Sequence, residues 1–418
     1  MYRNWFLFLL MLFPYLAYPD TLTIQTCIQK ALDKSTLSDE QLYYRSMTVL
    51  AERNIESTKL PSFNLIGQAS YQSHVVEFPD APILTFPTVP KEQARLYLDI
   101  NYPLYSGGKQ DLQSKVIEKE FEGQALETEV TKHQVKEIVA SLYFNAVLSR
   151  IKTELLEKTL EDIERQRKLV KSGVENGIMM ASAYDQFTLM MINVSQEILE
   201  AKYTNEKVYT LLSEWTGIEA RNYQLTLPKA ENTETTFSNR PEIKVFENKI
   251  SLFDAQSDLT RAGNRPFVSL FAQGGIGRPN PFNFFETGLS PYYMAGLRFQ
   301  WKLFDFGNAR RSMEINELQK RVILLKRENL EDNLQRKNLE TDLDAEKYEA
   351  LLEGDRTAIT LQENIVRRAG TQFENGVLNA TEYLNEQSKL TQLRIRYEMH
   401  LVLLAKGRYE KQLNSGDI

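Results

Sequence analysis

The sequence predicts a mainly α-helical protein with a small β part. It is organised as a two-fold internal repeat in which each half carries one β-hairpin and long helices. Three observations predict this. Glycine landmarks recur at one fixed offset, four short stretches alternate apolar and polar residues, and two long stretches lack almost all Gly and Pro.

The repeat is read first. YPLYSGGKQDLQSK around Gly108 is similar to WKLFDFGNARRSME around Gly307, and SGVENGIMMASAYDQ around Gly177 to TQFENGVLNATEYLN around Gly376. Gly217 and Gly416 stand at the same separation, 199 residues. LPSFNLIGQASY around Pro61 matches RPFVSLFAQGGI around Pro266 at 205, so one indel of six residues lies between the Pro and Gly landmarks. The unit is too long for a solenoid repeat, so the chain is a duplicated half. The organisation expected is 1–18 as a signal peptide, 19–218 as the first repeat, 219–240 as an equatorial linker and 241–418 as the second repeat.

The leader has one Arg (Arg3), an apolar run from Trp5 to Ala17 and a break at Pro19. That is the pattern of a secretory signal, and the run is short for a membrane anchor, its alternative. Cys27 is not preceded by a small residue and sits on the apolar side of LTIQTCIQKAL, which makes it a helix-packing residue rather than a lipidated one.

The hairpins are expected at 62–105 and 266–304. Phe63, Leu65, Gly67, Ala69 and Tyr71 alternate with Asn64, Ile66, Gln68 and Ser70, and Leu297, Phe299, Trp301 and Leu303 with Arg298, Gln300 and Lys302. Such alternation places one face on a core and one on water, or one on lipid and one in a wet lumen. Four strands cannot stand alone in a bilayer, because open edges leave backbone groups unpaired. Barrel-forming copies would therefore share one barrel, and three copies give twelve strands. The loop from His74 to Gln93 is six residues longer than its counterpart and is apolar and Pro-rich.

The runs Lys109–Ser172 and Asn308–Ala369 have helical apolar spacing, including Ile117, Phe121, Val135, Ile138 and Leu142. At about 1.5 Å per residue they would reach roughly 96 and 93 Å. Gly173 with Gly177, and Gly370 with Gly376, mark the reversals that follow, read as positive-φ helix ends. The return is broken: helices over Ala183–Gly217 and Glu242–Ala262 in one direction, Thr381–Leu413 with Ser38–Leu60 in the other.

Composition bounds the function. Of 418 residues, 42% are hydrophobic and 25% charged, and the net charge of −6 argues against a nucleic-acid binder. One Cys rules out a disulfide framework or a multi-cysteine metal site, and His74, His133 and His400 are far apart. His133, between charged neighbours, reads as a surface residue. There is no nucleophile motif, phosphate loop or metal cluster, so neither an enzyme nor a cofactor is expected. A mean hydropathy of −0.41 and no long apolar run after the leader suggest a soluble protein. They are equally expected where membrane contact comes from alternate residues of four strands.

The order signal, helix, hairpin, long helix, tip, broken return and repeat resembles the TolC-type outer-membrane efflux proteins over essentially the whole mature chain. The most specific pieces are LPSFNLIGQASY, YPLYSGGK, FDFGNAR and FENGVLNATEYLNEQ. The resemblance implies a homotrimer with a twelve-stranded transmembrane β-barrel, four strands per chain, continuous with a long α-helical periplasmic tunnel. It implies a passive exit duct in the outer membrane of a Gram-negative bacterium, in contact with outer-membrane lipid. The tips would dock a periplasmic adaptor (membrane fusion) protein and an inner-membrane pump. It places the periplasmic gate at Glu382 and Asn385, with Ala183 and Gln186 the matching first-repeat positions and Asp185 beside them. Glu382 keeps the carboxylate of the family pattern and Asn385 does not. The adaptor-contact tip comprises Gly173, Gly177, Ile178, Met179, Gly370, Gly376, Val377 and Leu378. Gly107, Gly108 and Gly307 form the strand-end turns, and Tyr102, Tyr105 and Trp301 fit an aromatic girdle at the membrane interface. A type I protein-secretion duct would share the fold, and an exported soluble coiled-coil protein is the alternative from another class.

Overall fold

A computed structural model describes residues 21–76, 87–228, 236–283 and 285–416. The leader, the centre of the 74–93 loop and part of the 219–240 linker lie outside the described residues. Two compact units are formed: Met1–Ser38 with Val130–Arg240 and Glu331–Ile418, and Asp39–Glu129 with Pro241–Leu330. No helix among the described residues is long and apolar enough to cross a membrane.

The first unit is helical. β1 (Thr21–Leu22) pairs in parallel with β4 (Gln224–Leu225), and α1 (Ile24–Lys34) follows, capped by the Thr23 hydroxyl, which accepts the Thr26 N–H. Ile24, Cys27, Ile28 and Ala31 are its buried residues, spaced three and four apart on one face. Cys27 is therefore a packing residue, as expected. The unit also holds the larger parts of α3 (Lys109–Glu175) and α6 (Asn308–Glu374), and all of α4 (Ala181–Thr216) and α7 (Ala380–Ser415).

Two cores hold it together. Tyr143, Phe144 and Tyr409 are buried in the first, where the Tyr143 hydroxyl lies 2.7 Å from the carbonyl oxygens of both Leu22 and Thr226 and accepts the Thr226 N–H at 2.9 Å. One phenol thus fixes the short parallel pair onto α3. In the second core, Leu156, Ile163 and Val170 of α3 and Phe187, Val194 and Ala201 of α4 are each seven residues apart, the spacing of a coiled-coil seam.

His133 corrects the sequence reading. It is 2% exposed, facing inward, with Nε2 3.6 Å from Glu137. His133, with the charges of Lys337 and Arg240, holds the Glu137 carboxyl below its ordinary value. Flanking charges (Lys132, Lys136) had masked the helix face on which this ring lies.

In the second unit, α2 (Leu37–Ser57, whose first two residues belong to the first unit) and α5 (Pro241–Ala262) accompany a four-stranded antiparallel sheet. Its strands are β2 (Ser62–Tyr71), β3 (Glu92–Tyr105), β5 (Phe267–Arg278) and β6 (Ser290–Gln300), in the order β2-β3-β5-β6. Among the described residues β2 and β6 are free edges. The second hairpin is shorter than the expected 266–304: β6 stops at Gln300, and the Trp301 indole N–H donates to the Asn264 carbonyl at 3.1 Å instead of facing a strand. Trp301 and Leu303 continue the alternation in sequence without strand pairing.

Candidate functional site

Register fixes the two faces of the sheet. Phe63, Leu65, Gly67, Ala69 and Tyr71 of β2 stand opposite Ile100, Leu98, Leu96, Ala94 and Glu92 of β3. The same face continues through Tyr102, through Val268, Leu270, Ala272, Gly274 and Ile276 of β5, and through Pro291, Tyr293, Ala295, Leu297 and Phe299 of β6. Apart from Glu92 and Arg278 at strand ends, no position on it is charged. Most of its large side chains are solvent-exposed, Tyr293 at 87%, so nothing among the described residues covers an apolar sheet face of this extent. The other face carries the polar residues, Asn64, Gln68, Ser70, Arg95, Asp99, Asn101, Ser269, Gln273, Arg298 and Gln300, interspersed with Ile66, Tyr97, Phe267, Phe271, Tyr292 and Met294, and Asp99 accepts from the Gln273 amide at 2.7 Å. Tyr102 lies on the apolar face, while Tyr105 follows an irregularity between Pro103 and Tyr105.

The strand-end turns need left-handed backbone. Gly107, Gly108 and Gly307 have φ of 67°, 76° and 75°. A Cβ at Gly107 would meet Arg265, whose guanidinium donates to the Gly107 carbonyl at 2.7 Å. Phe306, the position 199 residues after Gly107, adopts φ 55° without being glycine. Asp305 stabilises this turn: its carboxylate accepts from the Asn264 amide and from the Gly307 and Ala309 N–H groups, and these hold it below its ordinary acidity range.

The two tips repeat each other bond for bond. Ile178 N–H donates to the Gly173 carbonyl at 2.8 Å and Gly177 N–H to Val174 at 3.0 Å. Val377 donates to Gln372 at 2.8 Å and Gly376 to Phe373 at 3.0 Å. Both are Schellman ends with Gly177 (φ 74°) and Gly376 (φ 72°) at the left-handed position. Gly173 and Gly370 differ from the sequence reading: they lie within α3 and α6, with no positive φ. Gly173 instead sits in close approach, since a Cβ there would fall 2.9 Å from the Met179 side chain, which would have to shift.

The apolar residues of the tips also divide. Ile178 and Val377 are 77% and 76% exposed, while Met179 and Leu378 pack half-buried against the second core. Met180, not singled out in the sequence, is 80% exposed and occupies the N-cap of α4 without a side-chain bond. Its counterpart Asn379 caps α7 in a capping box: Asn379 Oδ1 accepts the Glu382 N–H at 2.9 Å, and the Glu382 carboxylate accepts the Asn379 N–H at 3.4 Å. A cap is worth about 1 kcal/mol, so local stability does not explain an exposed Met at position 180.

Glu382 and Asn385 line one open groove with Arg368 and Gln372 of α6. Asp185 and Gln186 are on α4, Asp185 exposed and Gln186 half-buried. The hairpins meet nearby through aromatic rings: Phe187 of α4 packs on Phe373 at 5.6 Å and Tyr383 at 6.2 Å, which themselves stack at 5.5 Å.

One cluster escaped the sequence reading. Asp355 of α6 is buried and accepts from Arg396 Nε at 2.8 Å, and its other oxygen is 2.6 Å from His400 Nδ1, both on α7. Aligning the repeats at 199 residues would have revealed it, because Asp355 and His400 fall where the first repeat has buried Leu156 and Ala201.

No protein family matches the sequence, and no curated protein matches it. Solved structures do. CusC, described with transmembrane channel formation, superposes with a TM-score of 0.72 at 15% identity, covering 94% of this chain and 92% of that one. The outer membrane protein VceC of Vibrio cholerae gives 0.68 at 16% identity, covering 94% of each. The Campylobacter jejuni CmeC outer membrane channel gives 0.70 at 14% identity, covering 94% and 85%. The chain has the TolC-type outer-membrane channel fold.

Proposed function

We propose that this chain is the outer-membrane duct of a tripartite export system, three copies completing a twelve-stranded barrel around an aqueous path. The observation that carries the reading is the exposed apolar face of the sheet, uncharged between its strand ends and backed by a polar face. Lipid outside and water inside account for both faces. Further copies would supply partners for the free edges of β2 and β6, which a bilayer would not otherwise accept. Exposed apolar side chains on α2 (Leu42, Tyr43, Leu50) and on α6 (Ile315, Leu318, Leu325) suit the same assembly.

Conduction, not chemistry, is the mechanism. The polar face offers hydrogen-bonding groups along the path, and the energy comes from an inner-membrane pump. Ile178, Met180 and Val377 suit contact with a periplasmic adaptor, because apolar side chains exposed at a helix reversal gain by being covered. Opening would part the hairpins at Phe187, Phe373 and Tyr383 near the tips, a two-state packing change that adaptor binding biases.

The test substitutes the two faces separately. Leu65→Arg puts a charge on the lipid face at about 2–4 kcal/mol per copy near mid-bilayer, and should abolish heat-modifiable oligomer in the outer-membrane fraction. Gln68→Arg, on the other face, should insert normally. Equal tolerance of both, with protein soluble without detergent, would overturn the duct in favour of a soluble coiled-coil protein.

A further inference from the structure

The polar face of the sheet carries two side-chain stacks built on one plan. Gly275 stands opposite Tyr97 in the β3–β5 register and Gly296 opposite Phe271 in the β5–β6 register. A Cβ at Gly275 would lie 2.5 Å from that of Tyr97, and one at Gly296 would lie 3.0 Å from the Phe271 ring. Each glycine therefore leaves bare backbone beside an aromatic residue, a pairing that strands use to cover a glycine. An arginine lies on each ring. The Arg95 guanidinium carbon is 5.5 Å from the Tyr97 centroid and that of Arg298 is 5.1 Å from the Phe271 centroid.

The stacks do not spend the arginines on ion pairs. Arg95 donates from Nε and Nη2 to the Gln68 amide oxygen, a neutral acceptor. Arg298 has neither a hydrogen bond nor an ion pair among the described residues, and both side chains are exposed. The third charge on this face, Asp99, is occupied by the Gln273 amide. Along the face the arginines bracket Asp99, and the excess charge is positive. An arginine beside a ring keeps N–H groups with which to meet a carboxylate or phosphate: Arg298 has its whole guanidinium for this, and Arg95 has Nη1 beyond its bonds to Gln68.

We propose that Arg95 and Arg298 make this face an anion-selecting wall, each stack a transient site for the carboxylate or phosphate group of a passing solute. The proposal rests on the duct reading and names the charge class of its cargo. In the assembled duct, copies of the two arginines would form two positive rings, which concentrate anions and speed their entry.

The experiment is a reversal-potential measurement on the full chain in planar bilayers under a KCl gradient, with chloride and potassium as the probes. Arg95→Gln with Arg298→Gln should lower the chloride-to-potassium permeability ratio by at least about threefold, the effect that a single unit charge roughly 6 Å away in water has on one ion alone. Arg298→Lys should hold the ratio near that of the parent. An unchanged ratio in the double variant, or a Lys variant as altered as the Gln variant, overturns the proposal while leaving the duct standing. A parent protein that gives no conductance overturns the duct, and the proposal with it. Open channels in every variant exclude misfolding as the cause of a shift.

Discussion

Replacing Asp355 by Asn should loosen the second helical hairpin and leave the first unchanged. The carboxylate side chain is 3% exposed and receives two charge-assisted bonds, from His400 at 2.6 Å and Arg396 at 2.8 Å. A hydrogen bond to a charged group contributes about 1.5–3 kcal/mol. The Arg396 side chain is 50% exposed and recovers water, so its share is below about 1 kcal/mol. His400 is 10% exposed, its ring packed 5.5 Å from that of Tyr348, and recovers little. The expected loss is about 3 kcal/mol, close to a hundredfold in a local opening equilibrium. Hydrogen exchange on the full chain in detergent reads this directly, with amides near 348–362 and 390–404 accelerating and those near 149–163 serving as the internal control. The double variant Asp355→Leu with His400→Ala transplants the first repeat's Leu156 and Ala201 and should restore or exceed parental protection, since apolar replacements of buried pairs are often neutral or stabilising. An acceleration under tenfold in the Asn variant, or a double variant opening as fast as the single one, would refute the reasoning.

Glu382 can be separated into its two roles. Glu382→Ala should cost about 0.5–1 kcal/mol of helix stability through the lost capping box, whereas Glu382→Gln should keep the melting temperature and lower cation permeability; unchanged selectivity in the Gln variant would leave Glu382 as a cap alone. In the first core, burial pushes the Cys27 thiol and the Tyr143 and Tyr409 hydroxyls each up to about 12, from 9.0 and 10.0. The folded state retains protons the unfolded chain releases, so this stability is complete below about pH 9 and is lost as pH rises towards 12. Melting temperature measured across that window should fall, less steeply in Cys27→Ala, and a flat profile would contradict the burial argument.

Periodicity and glycine position made most of this fold legible. The run read from Lys109 to Ser172 is α3, Lys109–Glu175, and the one read from Asn308 to Ala369 is α6, Asn308–Glu374. The 199-residue offset reappears as matched hydrogen bonds at the tips and as left-handed caps at Gly217 and Gly416. What stayed hidden depends on partners rather than on local pattern. A glycine signals either a left-handed turn or close approach, and only Met179 beside Gly173 decides between them. His133, Asp355 and His400 are polar residues on helices, where flanking charges suggest solvent, yet packing turns them inward. Trp301 fits the strand alternation, but the chain has left the sheet by then, drawn to the Asn264 carbonyl.

The two halves share a backbone plan and differ where their buried and exposed chemistry matters. Leu156 and Ala201 lie in one apolar core where the second half has Asp355, Arg396 and His400. Met180 is bare where Asn379 caps, and Gly107 adopts freely the φ that Phe306 holds under strain. Selection for helix stability alone would not separate equivalent sites in this way, because each half shows that the other's solution fits the same backbone. The differences fall into two kinds: the first hairpin keeps an apolar seam and exposes Ile178 and Met180, while the second carries a polar seam and the Glu382 groove. In the proposed assembly three copies would then present two kinds of tip in alternation. A docking partner would then meet two chemically different surfaces offered by one duplicated chain.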